Sequence, residues 1–139
     1  MKRRKKRILI VEDDLQARLG LQHLMSSIGY DAEGASDWLE ALCLIEEKLI
    51  DLAIVDIFLS PMGRQSFDGL DLIPLLRVFN PNVPVILVTG QGDEQLQAIA
   101  LKHGATLYLE KPLKPRFLTR VVQRILGEAA DEGAAPFDR

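Results

Sequence analysis

Cysteine is almost missing from the 139-residue chain: Cys43 is the only one, so no internal disulfide can form, and no Cys/His cluster has zinc-ligand spacing. Long hydrophobic runs are missing too, and none approaches the roughly 18 residues that a membrane-spanning helix needs. The basic N-terminus leads into only four apolar residues, Ile8 to Val11, before Glu12, which is unlike a secretory signal. A reducing cytoplasm is the expected compartment. Proline and glycine are sparse, at 7 and 10 residues, and with 47% hydrophobic and 27% charged residues this excludes a collagen-like or largely disordered chain. The length suits one ordinary domain.

Charge is uneven. Residues 2–7 supply six of the 17 basic residues, so the rest of the chain sets 11 basic against 20 acidic residues. Such a run repels itself and reads as a solvated arm over residues 1–7; no aromatic side chain interleaves it as a single-strand binder requires. After Gly127, residues 128–139 are rich in alanine and acidic residues, lack a hydrophobic face, and read as a flexible tail.

Between these flanks, residues 8–127 alternate two kinds of segment. Ile8–Val11, Leu52–Val55 and Val85–Val88 are short β-branched runs without polar alternation, as expected of strands buried on both faces. Tyr30–Glu33 and Thr106–Leu109 are weaker strand candidates. Helical spacing links Ala17, Leu21, Leu24, Met25 and Ile28, then Trp38, Ala41, Leu42, Ile45 and Leu49, then Leu72, Ile73, Leu76 and Phe79. It continues in Leu96, Ile99 and Ala100 and in Leu118, Val121, Val122 and Ile125. Pro74 should kink or delay the third helix, and Gly29 and Gly104 sit where helices must stop. Five β-α repeats with short connections predict a doubly wound, five-stranded parallel sheet of the α/β class. Ligands bind such sheets beyond the carboxyl ends of the strands.

Polar chemistry gathers at those ends. Strand one ends in Glu12-Asp13-Asp14, strand three in Asp56, strand four in Thr89-Gly90 and strand five in Glu110-Lys111-Pro112. Carboxylates converging from neighbouring strands need a cation, and oxygen-only ligands with room for water suit Mg²⁺. A carboxylate beside a metal, with a lysine and a hydroxyl from the next strands, suits phosphoryl transfer, with Asp56 attacking phosphorus and Thr89 and Lys111 receiving the phosphoryl oxygens. Taken singly, each group could be a helix cap, a loop carboxylate or a surface charge; their conjunction at four segment ends carries the reading.

The motifs Ile-Val-Glu-Asp-Asp at 10–14, Ile-Val-Asp at 54–56, Asp-Gly at 68–69, Val-Thr-Gly at 88–90 and Tyr-Leu-Glu-Lys-Pro at 108–112 resemble those of the receiver domains of two-component response regulators. The likeness runs from about Ile8 to Gly127 and implies a flavodoxin-like (βα)5 fold with strand order 2-1-3-4-5. It implies that Asp56 accepts a phosphoryl group from the phosphohistidine of a histidine kinase or phosphotransfer protein. Asp13, Asp56 and the Phe58 backbone carbonyl would hold Mg²⁺, with Glu12 acting through metal-bound water. Thr89 and Lys111 would bind the phosphoryl oxygens, Tyr108 would swing inward as Thr89 moves, and Lys111-Pro112 would be cis. Output would pass to an effector or a second copy through the fourth helix, fifth strand and fifth helix, involving Leu96, His103, Tyr108 and the exposed side of residues 115–124. Neither direct nucleic-acid binding by the core nor catalysis on outside substrates is expected.

Two departures stand out. The loop from Ile57 to Asp68 is several residues longer than is usual in that family, with Pro61 one place late. Phe58 puts an apolar group where many relatives carry a polar one, which predicts slow loss of the phosphoryl group; Gln91 is the other side chain expected to influence the attacking water. A Mg²⁺-dependent phosphohydrolase is the chief rival, but its second acid, two residues past the nucleophile, is replaced by Phe58. A non-switching adaptor working through the basic arm is the third reading. No effector segment follows residue 127, so the chain reads as a stand-alone receiver or one cut from a longer protein. Cys43 is expected to pack, Trp38 to be partly buried, and His23 and His103 to lie on the surface.

Overall fold

The computed structural model describes residues 4–58, 69–90, 92 and 94–127. The loop at 59–68, including Pro61 and Asp68, together with Gln91 and the tail at 128–139, lies outside the described residues. The elements alternate as expected: β1 (Arg7–Val11), α1 (Leu15–Ser27), β2 (Asp31–Ala35), α2 (Trp38–Glu47), β3 (Leu52–Asp56), α3 (Gly69–Phe79), β4 (Val85–Thr89), α4 (Glu94–Lys102), β5 (Leu107–Glu110) and α5 (Pro115–Ile125). All strand pairs are parallel, in the order β2-β1-β3-β4-β5.

Alternation along each strand splits the core into two layers. Leu9, Val11, Ala53, Val55, Val85 and Leu87 pack with Ala41 and Ile45 of α2, Leu72, Ile73 and Leu76 of α3 and Ala100 of α4. Ile8, Ile10, Leu52, Ile54, Ile86 and Val88 face the other way, against Met25 of α1 and Leu118, Val121 and Val122 of α5. Each such Leu or Ile contributes about 1.5–3 kcal/mol by leaving water. Asp14 and Asp37 cap α1 and α2 by accepting from Ala17 N and Glu40 N at 2.8 and 2.9 Å. Gly29 and Gly104 turn the chain at φ 102° and 101°, a left-handed conformation that favours glycine.

Several expectations need correction. The second strand begins at Asp31, with Tyr30 buried just before it. Leu49 lies beyond the end of α2 at Glu47, after Lys48 has become extended, and is exposed; Phe79, at the last position of α3, and Ile99 are exposed as well. Cys43 does not pack: it stands about 200° around α2 from buried Ala41 and faces solvent. Pro74 sits inside α3, so the helix is not delayed past it. The basic run is tethered rather than wholly solvated, because Arg7 belongs to β1 and the Arg4 guanidinium donates twice to Asp51, at 2.9 and 3.1 Å.

Polar side chains tie the loops at the amino ends of the strands. Asp51 also accepts from Arg7 N at 2.7 Å. Asn80 Nδ2 donates to Ile50 O at 2.6 Å, and Arg77 donates to Val83 O and Gly104 O.

Candidate functional site

Because β1, β3 and β4 lie side by side and end at the same level, their last residues meet where the strand order reverses. Glu12 follows β1, and its N–H is held by Ala35 O at 3.0 Å. Asp56 ends β3, and Ile57 N donates to Val88 O at 2.8 Å. Thr89 ends β4, and its carbonyl accepts from Lys111 N at 2.8 Å, which fixes where the lysine leaves β5. Glu12, Asp56 and Thr89 are the buried polar residues of the described chain.

The carboxylates of Glu12, Asp13 and Asp56 offer oxygens that all lie within 4.8 Å of one another. At that separation two like charges repel by about 3–4 kcal/mol at an effective dielectric of 20. Lys111 answers part of this. Its ammonium donates to Glu12 Oε1 at 2.9 Å and to Asp56 Oδ2 at 3.2 Å. Burial and the charge of Glu12 push the Asp56 carboxyl up to about 6 despite the opposing pull of Lys111. Burial works against the Lys111 ammonium, but the hydrogen bond to Glu12 and the charge of Asp56 outweigh it and raise its pKa. Three carboxylates facing one ammonium fit a small divalent cation, with Asp13, Asp56 and Glu12 able to supply oxygens.

The remaining groups are set around this cluster. Phe58 N donates to Asp56 Oδ1 at 3.0 Å, while the Phe58 side chain is 50% exposed. Lys111-Pro112 is cis. Tyr108 is buried in β5 with its hydroxyl against the backbone of Gly92, so it cannot belong to an exposed contact face in this conformation, contrary to expectation. His103 and His23 are exposed, and Trp38, at 36% exposure, is partly covered.

Sequence reasoning missed the groups that hold Glu12. Arg18 donates to Glu12 O at 2.8 Å, and Asp14 N to Glu12 Oε2 at 3.1 Å. In the sequence Gly69 stands out only as half of the Asp-Gly motif at 68–69. A Cβ there would overlap the Asp56 carbonyl and stand 2.9 Å from Ile57 Cα, so α3 can start against the acidic strand end only with no side chain at that place.

A cleft of about 830 Å³ opens between α1 and α5 and reaches the same charged groups. Ala17, Leu21 and Leu24 line one wall, Leu113 and Leu118 the other, and Glu12, Asp56 and Lys111 lie at its edge.

The family model for the response regulator receiver domain matches residues 8–123. The transcriptional regulatory protein ZraR of Klebsiella oxytoca is 37% identical over 106 residues, which are 76% of this chain and 23% of that protein. The alkaline phosphatase synthesis transcriptional regulatory protein PhoP of Bacillus subtilis is 33% identical over 131 residues, 94% of this chain and 52% of that protein. The chain therefore spans about a quarter to a half of these curated relatives. Among solved structures, a CheY-like response regulator receiver domain protein from Methanospirillum hungatei superposes with a TM-score of 0.80 at 32% identity, covering 90% of this chain and 96% of that one. The receiver domain of NtrX from Brucella abortus gives a TM-score of 0.77 at 30% identity, covering 88% and 99%.

Proposed function

The chain belongs to the response regulator receiver domains, and on that premise we propose that Asp56 accepts a phosphoryl group from the phosphohistidine of a histidine kinase or phosphotransfer protein. One observation supports this above the others: a buried carboxylate at the end of β3 is gripped by Lys111 and crowded by Glu12 and Asp13.

An Asp56 oxygen attacks phosphorus, the P–N bond breaks with its electron pair passing to the imidazole, which takes up a proton, and Asp56 carries an acyl phosphate. Lys111 turns from the Asp56 oxygen toward the new phosphoryl oxygens, and the Thr89 hydroxyl donates to another of them. Asp13, Asp56 and the Phe58 carbonyl would hold Mg²⁺, with Glu12 reaching it through water, and the ion would supply positive charge to offset that of the transferred group. The added dianion biases a two-state equilibrium in which Thr89 and Tyr108 rearrange, and the face made by α4, β5 and α5 presents the result to an effector or a second copy. The switch comprises residues 7–127, since Arg7 already belongs to β1, with the preceding residues and 128–139 as flanks, in the cytoplasm. Signalling rather than turnover of outside substrates is its work.

The test is incubation with Mg²⁺ and acetyl phosphate or a phosphorylated kinase, followed by intact mass. One phosphoryl group adds to the native chain and none to Asp56→Asn; equal labelling of both overturns the assignment. Phe58 walls the anhydride from water, so Phe58→Asn is expected to shorten the lifetime of the phosphorylated protein about tenfold. An unchanged lifetime removes Phe58 from the account.

A further inference from the structure

The two ends of α4 are held differently. In its amino half, Leu96 is only partly buried, and Glu94, Gln95, Gln97 and Ala98 are exposed. The carboxyl end is tied down. Ala100 and Ala105 are buried, Ala105 N donates to Ala100 O at 3.1 Å, and Thr106 bonds both ways with Val85, its N–H to Val85 O at 2.8 Å and its Oγ1 accepting from Val85 N at 3.1 Å.

Arg77, near the end of α3, crosses to this same corner. Its Nη1 donates to Gly104 O at 2.8 Å, while Nε and Nη2 donate to Val83 O at 3.1 and 2.8 Å. One planar guanidinium thus joins α3, the loop leading into β4 and the turn between α4 and β5. Its fork can reach two carbonyls at fixed angles, which the single ammonium of a lysine cannot reproduce. The joint is close-fitting: a Cβ at Gly104 would stand 2.6 Å from Arg77 Nη1. Gly104 itself is left-handed at φ 101°, a conformation that favours glycine.

We propose that Arg77 is a positioning residue of the switch: it pins the carboxyl end of α4, so that the helix rearranges from its amino end and pivots at Gly104. The inference rests on the proposed phosphorylation of Asp56 for what drives the motion, but not for the pin. Motion that starts beside Tyr108 and Gly92 is thereby converted into a swing of the amino half of α4 rather than a loosening of the whole helix. Without the pin the same input would dissipate by fraying the turn at 103–106.

Segment-resolved amide exchange on the full chain tests this, with and without phosphorylation by acetyl phosphate and Mg²⁺. In unmodified Arg77→Met, residues 99–106 are expected to exchange about tenfold faster, while Ile8–Val11 and Leu52–Val55 keep their protection. Arg77→Lys should fall between Met and the native residue. On phosphorylation the native chain should change in residues 94–98 and stay protected at 100–106, whereas in Arg77→Met the change should spread to 106. An unaltered 99–106 in the methionine variant overturns the proposal, as does a uniform rise across the sheet or a native response that already covers the whole helix. If no phosphoryl group adds at all, the unmodified comparison still decides the pin and only the functional reading fails.

Discussion

Asp51 immediately precedes β3 and Asp56 ends it, about 17 Å apart along the strand direction, and their carboxyls are treated in opposite ways. Asp51 is burdened by burial, yet the hydrogen bonds from the Arg4 guanidinium and Arg7 N–H outweigh that cost and hold its pKa below the usual carboxylate range. Asp56 meets burial and the charge of Glu12 with only a share of Lys111, and its pKa rises to about 6. At one end of the sheet the Asp51 carboxylate is satisfied by donors from its own chain. The other end keeps an excess of negative charge. The first arrangement fixes loops, and the second suits a binding site, since an uncompensated acidic cluster gains by taking up a cation.

The largest test of this contrast is stability against pH without divalent ions. A carboxyl whose folded pKa is raised from 3.8 to about 6 favours the folded state fully below pH 4 and loses that contribution as pH rises through 6. Asp56→Asn should therefore stabilise the metal-free protein by roughly 2–3 kcal/mol at pH 7 and by little at pH 4. Urea titrations at both values would check it, and an equal effect at both would break the contrast. Next in size, Mg²⁺ at ten times its dissociation constant should add about 1.4 kcal/mol to the native chain. Asp13→Asn should remove most of that gain while Asp51→Asn leaves it intact, as thermal melts with and without Mg²⁺ would show. Smallest is Asp51→Asn, expected to cost about 1 kcal/mol at pH 7, because its partner Arg4 is largely exposed to solvent. Its sign is opposite to that at Asp56: a depressed pKa contributes stability at neutral pH that is lost as pH falls through the folded value, below 3.8.

The carboxyl-end groups were legible in sequence for a simple reason. Each follows directly on a run of apolar β-branched residues, so finding Ile8–Val11, Leu52–Val55 and Val85–Val88 also located Glu12, Asp56 and Thr89. The amino-end network was not legible. Arg77 and Asn80 interrupt no pattern, and their acceptors are main-chain carbonyls of Gly104 and Ile50, 27 and 30 residues away, which no side-chain motif marks. Arg18 was missed for the same reason, since its partner is the carbonyl of Glu12. Periodicity also misled where a helix ended early. Leu49 matches the stripe of α2 but lies beyond its last turn, and Cys43 was placed by its residue type when its angle around the axis decides exposure.

The empty place at Gly69 has a consequence for how this protein tolerates variation. Thirteen positions downstream of Asp56, a residue with no reactive group has its identity imposed by the carbonyl of that aspartate. In a saturation library scored on signalling, that glycine should show as narrow a range of permitted residues as Asp56, although replacing it removes no functional group.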